Sequence, residues 1–145
     1  MNKISEIELH YKNQNNFKIK VTSSLSAFEV LKESWNPNTI ELQEEFKLLL
    51  LDRDNKVLGL YSLSKGGIAG TAVDVRLLMV VALRSKASAI ILAHNHPSGN
   101  LKPSEQDKNI TKKIISACKF LDIDMLDHII LSNKKYYSFK DEGSF

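Results

Sequence analysis

Apolar residues recur with two different periods along this chain, and the two periods predict an alternation of strands and helices. Residues 88–93 form a short, almost continuously apolar run that is typical of a buried strand. Residues 104–121 instead carry apolar side chains at the spacing of one helix face, which includes Ile110 and Ile114. The alternation predicts an α/β fold of α+β type, in which helices flank a mixed β-sheet.

Further elements follow from the same patterns and from the residues that begin and end helices. Strands are predicted at residues 17–22, 45–51, 56–63, 125–131 and 135–139, and helices at 26–35 and 71–85. Ser26 and Glu29 have the spacing of a capping box that would begin the first of these helices, and Pro37 would follow its end. Thr71, three residues before Asp74, would begin the second.

These elements divide the chain into two parts. Residues 1–40 are expected to form an N-terminal strand-helix extension that packs on a main domain at 41–145. Trp35 has two interpretations: it packs the extension on the main domain, or it faces a partner protein. The length of 145 residues suits a single domain with its own core.

Composition and charge exclude several classes of protein. Hydrophobic residues make up 43% of the chain and charged residues 26%, as in ordinary globular proteins. No apolar run is long enough to cross a membrane and the N-terminus has no signal-peptide pattern, so a cytoplasmic protein is expected. The single cysteine, Cys118, is interpreted as a buried thiol. The net charge of +3 is scattered along the chain and supports nucleic acid as a partner only weakly.

The stretch with the clearest chemistry directly follows the strand at 88–93. His94 and His96 are two residues apart, so alternation along a strand points both imidazoles to one face. Asp107 follows at the start of the next helix and would bring a carboxylate to the same place. Two imidazoles and a carboxylate form the ligand set of a catalytic zinc site, which leaves a fourth position for water.

Each half of this pattern also has a purely structural interpretation. A pair of histidines at the end of a strand is a weak signal on its own. Ser104 and Asp107 have capping-box spacing, and they would begin the helix even without any catalysis. The two interpretations are compatible, because a helix start places its Asp near the loop that carries the histidines. The combination is far more specific than either half.

The combined pattern resembles the JAMM motif of the MPN+ metallopeptidases. The run AHNHPSGNLKPSEQD at residues 93–107 is similar to that motif as it is written in the RadC family, and so are LDHII at 126–130 and YYSF at 136–139. The similarity extends from near Glu44 to the C-terminus and leaves the first forty residues unmatched. It implies the MPN/JAMM fold, which is similar to that of the cytidine deaminases.

The resemblance also implies a role for each residue of the site. The expected zinc ligands, followed by the expected oxyanion donor, are His94, His96, Asp107 and Ser104. Glu44, at the entry to the strand at 45–51, would be the general base. Glu45 competes for that role, because a shift of the strand register by one residue reverses the face on which each side chain lies.

Two neighbouring polar residues lie outside the ligand spacing. His128 follows Asp127 on the predicted strand at 125–131. It is either a structural, hydrogen-bonded histidine or a group that supports the metal ligands or shuttles a proton. Asn95 alternates to the face opposite the two ligand histidines and is expected to be structural.

The resulting hypothesis is a zinc-dependent metallohydrolase, a metallopeptidase or isopeptidase that uses a zinc-activated water on a peptide or protein substrate. The alternative is a nucleic-acid-associated protein of DNA repair or of mobile elements. Long RadC proteins carry an N-terminal region that resembles helix-hairpin-helix modules, and this chain is expected to be a short form without it. A silent MPN scaffold is disfavoured because every expected ligand is present.

Overall fold

A mixed β-sheet lies at the centre of the fold. The computed structural model describes residues 3–12, 18–66 and 72–145. The strands are β1 (Glu45–Leu51), β2 (Val57–Lys65), β3 (Ala89–Asn95), β4 (Asp124–Leu131) and β5 (Tyr136–Ser138), and the helices are α1 (Ser24–Ser34), α2 (Val75–Arg84) and α3 (Glu105–Phe120). The strand order is β2-β1-β3-β4-β5, with β3 and β4 parallel and the other neighbours antiparallel. This architecture confirms the predicted mixed sheet flanked by helices.

The central strands are buried on both faces, which explains the continuous apolar run of β3. On one face, α1 packs against alternate strand residues that include Leu49, Ile91 and Ile129. On the other face, α2 and α3 pack against the residues in between, such as Leu48 and Ile90. A strand covered on both faces carries apolar side chains at nearly every position rather than at alternate ones.

The first helix begins earlier than the sequence pattern suggested. Ser23 is the N-cap: its hydroxyl accepts a hydrogen bond from Ser26 N at 3.1 Å, and Ser23 N donates to Ser26 Oγ at 3.0 Å. The predicted capping box of Ser26 and Glu29 was therefore wrong. A second serine takes the role that the usual pattern gives to Glu or Gln. The helix ends at Ser34, ahead of Pro37, as predicted.

The segment predicted as a strand at 17–22 contributes only an isolated bridge, between Lys20 and Lys56 at the edge of the sheet. Residue 17 itself lies outside the described residues. The chain turns into α1 at Ser23, directly after this bridge, so the segment is too short to form a ladder with β2.

The second helix begins at Asp74, whose carboxylate accepts a hydrogen bond from Leu77 N at 3.1 Å. Asp74 therefore serves as the N-cap itself, whereas the predicted start at Thr71 lies outside the described residues. Within the described part of the chain, no helix has the length and apolar character needed to cross a membrane.

The N-terminal helix shares one core with the sheet. Leu31 and Trp35 are both buried in the cluster that contains residues of β1, β3 and β4. Lys47 on β1 places its ammonium nitrogen 4.4 Å from the centre of the Trp35 ring, within the range of a cation–π contact. Trp35 thus packs α1 onto the sheet, which is the first of its two interpretations. The division of the chain at residue 40 stays a prediction.

We expect Leu31→Ala to lower the free energy of unfolding by about 2–5 kcal/mol, because it removes a fully buried side chain and leaves a cavity. Leu25→Ala on the same helix is the matched control: Leu25 is 52% exposed, and its loss should change stability by less than about 0.5 kcal/mol. Urea denaturation followed by Trp35 fluorescence and by circular dichroism measures both. A Trp35 transition that precedes the main one would show that α1 unfolds separately.

Candidate metal centre

Two histidines face each other where β3 leaves the sheet. His94 is the next-to-last residue of β3, and His96 follows the end of the strand. Alternation along the strand places both imidazoles on the same side, and their Nε2 atoms lie 2.9 Å apart. The His94 ring is buried and stacks on Phe46, with ring centroids 5.3 Å apart. The His96 ring is only partly buried.

Asn95, between the two histidines, points to the opposite face and is structural, as predicted. Its side-chain oxygen accepts a hydrogen bond from Glu45 N at 2.8 Å. Its amide nitrogen donates to Ile40 O at 2.7 Å and to Gln43 O at 2.9 Å. All three bonds join Asn95 to the segment that leads into β1. This buried amide therefore holds the backbone on both sides of Glu44.

Asp107 approaches the histidines from the first turn of α3. Ser104 is the N-cap: its hydroxyl accepts from Asp107 N at 3.0 Å, and Asp107 Oδ2 accepts from Ser104 N at 2.9 Å. The predicted capping box is thus confirmed. The same carboxylate places Oδ1 3.3 Å from His94 Nε2 and Oδ2 3.3 Å from His96 Nε2. Asp107 begins the helix and faces both imidazoles at once.

The side chains of the two neighbouring glutamates at the start of β1 point in opposite directions. Glu44 Oε1 lies 3.8 Å from the Nε2 atoms of both His94 and His96. Glu45 is buried away from them, with its carboxylate 3.5 Å from Lys47 Nζ and 3.4 Å from Lys65 Nζ. Side chains alternate between faces at the start of β1, so only one of the two acids reaches the imidazoles. The structure places Glu44 beside them.

The imidazoles and carboxylates at the centre influence each other's ionisation. Burial alone would raise the pKa of Asp107, but hydrogen bonds with His94 and His96 hold that pKa well below its usual value. Burial alone would lower the pKa of His96, but Asp107 and the Asn100 carbonyl, 2.6 Å from His96 Nδ1, raise it. An ionised carboxylate that faces two imidazoles is a good acceptor for a cation.

The donor atoms suit a metal ion of the zinc class. The Nε2 atoms of His94 and His96 and a carboxylate oxygen of Glu44 all lie within 4.8 Å of one another. The Asp107 oxygens approach both imidazoles more closely than the Glu44 oxygen does, at 3.3 Å against 3.8 Å. Two unprotonated nitrogens only 2.9 Å apart repel each other unless a proton or a metal ion lies between them. Mixed nitrogen and oxygen donors favour zinc over Mg²⁺ and Ca²⁺, which prefer oxygen alone.

A third histidine, His128 on β4, lies directly behind His94. Its ring is fully buried, with Nε2 2.8 Å from His94 Nδ1 and Nδ1 2.6 Å from Thr111 Oγ1. Burial and the nearby His94 lower the pKa of His128 well below its usual value, so the ring is neutral. The Asp127 carboxylate turns away and accepts hydrogen bonds from β5 and the segment after it. His128 is thus hydrogen-bonded and in contact with a candidate ligand.

Thr111 is a residue of this centre that the sequence analysis did not single out. It is fully buried on α3, and its hydroxyl donates to Asp107 O, one helical turn earlier, at 2.6 Å. The available signal was a threonine at helical spacing from Ile114 and Cys118, on the face that packs against the sheet. A polar residue on such a face requires a partner, which here is His128.

A cavity of about 430 Å³ opens beside His96. Its walls come from the loop after β3, from the segment before β1 and from the turn between β4 and β5, and they include Glu41, Pro97 and Lys135. Gly99 has a φ of 82°, so it supplies a turn in the loop after β3. Through this cavity the partly buried His96 is accessible from the surface.

Comparison with known proteins places these residues in a family. A family model described as RadC-like JAB domain matches residues 21–144. A UPF0758 protein of Flavobacterium johnsoniae is 53% identical over 127 residues, which cover 87% of this chain and 54% of that protein. A UPF0758 protein of Porphyromonas gingivalis is 47% identical over 102 residues, or 70% of this chain and 45% of that protein. UPF0758 protein YfjY of Escherichia coli K12 is 41% identical over 101 residues, with coverages of 70% and 63%.

The extent of these matches decides what they show. The chain spans about half the length of the first curated relatives it matches, and the printed names of these relatives state no activity. The family model, in contrast, covers most of the chain, and its range includes Glu44, His94, His96, Asp107 and His128. The resemblance stated from the motif is therefore confirmed, together with a JAMM-type, metal-dependent kind of domain. This chain belongs to the RadC-like JAB domain family.

Proposed function

We propose that this protein is a zinc-dependent hydrolase that cleaves an amide or isopeptide bond in a peptide or protein substrate. The observation that carries the proposal is the convergence of four donor groups on one space. The Nε2 atoms of His94 and His96 lie 2.9 Å apart, with Asp107 oxygens at 3.3 Å and a Glu44 oxygen at 3.8 Å. Membership in the RadC-like JAB domain family supports the same conclusion.

Three of these groups have the character of ligands. His94 and His96 would hold zinc through Nε2, and Asp107 through a carboxylate oxygen, which is a three-ligand set of the kind found in catalytic sites. Zinc bound by such a set lowers the pKa of its water to about 7 and polarises a substrate carbonyl. The buried His94 and the capped Asp107 are held in place by the fold, so little rearrangement is needed on binding.

Glu44 has the position of a general base. Its carboxylate lies further from the imidazoles than that of Asp107, at 3.8 Å rather than 3.3 Å, which suits a group beside the ligand set rather than in it. In that position it would take a proton from the attacking water and return it to the leaving amine. Glu45 is held by Lys47 and Lys65 on the opposite face and serves the fold instead.

Ser104 combines two tasks in this proposal. Its hydroxyl oxygen accepts from Asp107 N, so its own proton stays available for donation. The side chain is exposed at the start of α3, beside the carboxylate that faces the imidazoles. It would donate to the oxygen of the tetrahedral intermediate, where negative charge develops.

The metal prediction concerns protein purified without chelators. We expect about one zinc per chain by inductively coupled plasma mass spectrometry. His94→Ala with His96→Ala should abolish this zinc and remove the rise in melting temperature that zinc causes, because a ligand of the native state stabilises it. His10→Ala is the matched control, since the His10 side chain is 83% exposed. Full zinc occupancy in the double variant would contradict the site.

The base prediction separates chemistry from binding. Glu44→Gln keeps the shape of the side chain but accepts no proton, so zinc content should stay unchanged while turnover falls by roughly 10²-fold or more. Glu45→Gln is the matched control and should keep its turnover per folded molecule, because Glu45 is turned away from the imidazoles. The assay is mass spectrometry of a mixed library of linear and lysine-linked peptides incubated with zinc-loaded protein.

Two outcomes of this assay would change the proposal. If Glu45→Gln is the inactive variant, the register at the start of β1 differs from that in the structure. If the zinc-loaded protein cleaves nothing and instead binds duplex DNA with a steep salt dependence, the nucleic-acid alternative replaces the hydrolase.

The third prediction distinguishes the two tasks of Ser104. Ser104→Ala should lower the free energy of unfolding by about 0.5–2 kcal/mol through the lost cap. Its turnover should fall by roughly 10²–10³-fold through the lost oxyanion donor. Ser104→Asp restores the cap but places negative charge near the oxyanion, so it should fold normally and stay nearly inactive. Normal turnover of Ser104→Asp in the same assay would reduce Ser104 to a helix cap.

A further inference from the structure

A chain of three buried side chains leads from α3 to the candidate metal centre. Thr111 Oγ1 lies 2.6 Å from Asp107 O and 2.6 Å from His128 Nδ1. His128 Nε2 lies in turn 2.8 Å from His94 Nδ1. Thr111 and His128 are fully buried and His94 nearly so, and each side chain is hydrogen-bonded to the next. The chain therefore has a defined direction of donation, which can be derived step by step.

The direction of these hydrogen bonds is set at the Asp107 carbonyl, which can only accept. The Thr111 hydroxyl must donate its single proton to this oxygen, so Oγ1 can only accept from His128 Nδ1. A neutral imidazole carries one N–H, so His128 Nε2 presents a lone pair. That lone pair accepts from His94 Nδ1, and the proton of His94 is thereby held on Nδ1.

We propose that Thr111 and His128 are positioning residues that fix His94 in the Nδ1–H tautomer and leave its Nε2 lone pair directed at the metal. The inference rests on the proposed metal centre, but the proton on His94 Nδ1 is a property of the metal-free fold, in which a proton between the two Nε2 atoms takes the place of the metal. A neutral histidine in water, without these hydrogen bonds, prefers the proton on Nε2, which would block the ligand atom. His128 removes that preference before any metal binds.

Aromatic packing keeps the rings of this chain from turning over. His128 stacks on Phe139 with ring centroids 4.5 Å apart and meets the edge of Phe46 at 5.5 Å. His94 stacks on the same Phe46 with an interplanar angle of 5°. A flip of either imidazole would break its hydrogen bonds and disturb these contacts. The packing therefore fixes ring orientation, and Thr111 fixes the position of the protons.

The second histidine ligand reaches the same state by a shorter route. His96 Nδ1 lies 2.6 Å from the Asn100 carbonyl, which can only accept, so the His96 ring carries a proton on Nδ1 and directs Nε2 at the metal position. A backbone carbonyl in the ligand loop thus does for His96 what His128 and Thr111 do for His94. His94 lies inside the sheet, where the backbone carbonyls of β3 are engaged in pairing, so it requires a side-chain acceptor.

Substitution of Thr111 tests this chain of hydrogen bonds most directly. Thr111→Val keeps the shape but removes both the acceptor for His128 and the donor to Asp107 O. Thr111→Ser keeps the hydroxyl and should restore wild-type behaviour. Thr22→Val is the matched control, because it makes the same substitution at an exposed position. His128→Phe keeps the ring stacking and removes the acceptor for His94.

The first measurement is the protonation of His94 Nδ1 in metal-free protein labelled with ¹⁵N-histidine. Chemical shifts of the two ring nitrogens distinguish N–H from a lone pair. We expect a proton on Nδ1 in the wild type, in Thr111→Ser and in Thr22→Val, and an Nδ1 without a proton to become populated in Thr111→Val and His128→Phe. A wild-type His94 without a proton on Nδ1 would overturn the inference.

The second measurement is zinc affinity by competition with a chromophoric chelator. Partners that orient a metal-bound histidine typically contribute roughly 10–100-fold in affinity, so Thr111→Val should bind zinc that much more weakly and Thr111→Ser should not. Unchanged affinity and tautomer in Thr111→Val would overturn the inference and leave the metal centre standing. If His94 shows Nδ1–H but no variant, including the wild type, binds zinc, the proposed function fails and the tautomer assignment stands.

Discussion

The alternation of side chains at the end of β3 is the constraint on which the candidate metal centre depends. His94 and His96 face one side of the sheet, whereas Asn95 faces the other. The Asn95 amide anchors the segment that enters β1, and it thereby fixes Glu44 beside the imidazoles. A register shift of one residue would exchange the amide with the imidazoles and turn Glu45 toward them. The register of the sheet therefore determines which donor groups face one another.

The centre also interrupts an otherwise apolar layer between the sheet and α3. Leu48, Ile90 and Ile114 belong to that layer, yet Thr111 and His128 are buried beside it. A buried polar atom without a partner costs roughly 1–3 kcal/mol, and here each one is bound to the next. An apolar pair at these two positions would stabilise the fold as well or better. Such departures from simple packing are expected where a fold serves a site.

The sequence predicted the local parts of this structure and missed the parts that depend on distant contacts. The histidine pair, the cap of α3 and the apolar run of β3 are patterns within a few residues, and each was found where expected. The contact between His94 and His128 depends instead on the parallel register of β3 and β4, in which Leu92 pairs with His128. No local pattern encodes that register. The start of α1 failed for a different reason, because Ser23 and Ser26 form a capping box without an acid.

The chemistry proposed for this domain is local to it, whereas substrate choice depends on the surface around it. The range matched by the RadC-like JAB domain model includes every donor group of the candidate centre. It also includes Thr111 and His128, which lie behind His94. This part of the relatives therefore supplies all the side chains that we propose to hold the metal or to fix the tautomer of His94. The cavity beside His96 is different, because exposed side chains such as Glu41 and Lys135 form its walls. Exposed charges of this kind steer and select a substrate without altering the donors beneath them. Changes to the cavity walls should therefore alter which bond is cleaved, and changes behind His94 should alter whether metal is held.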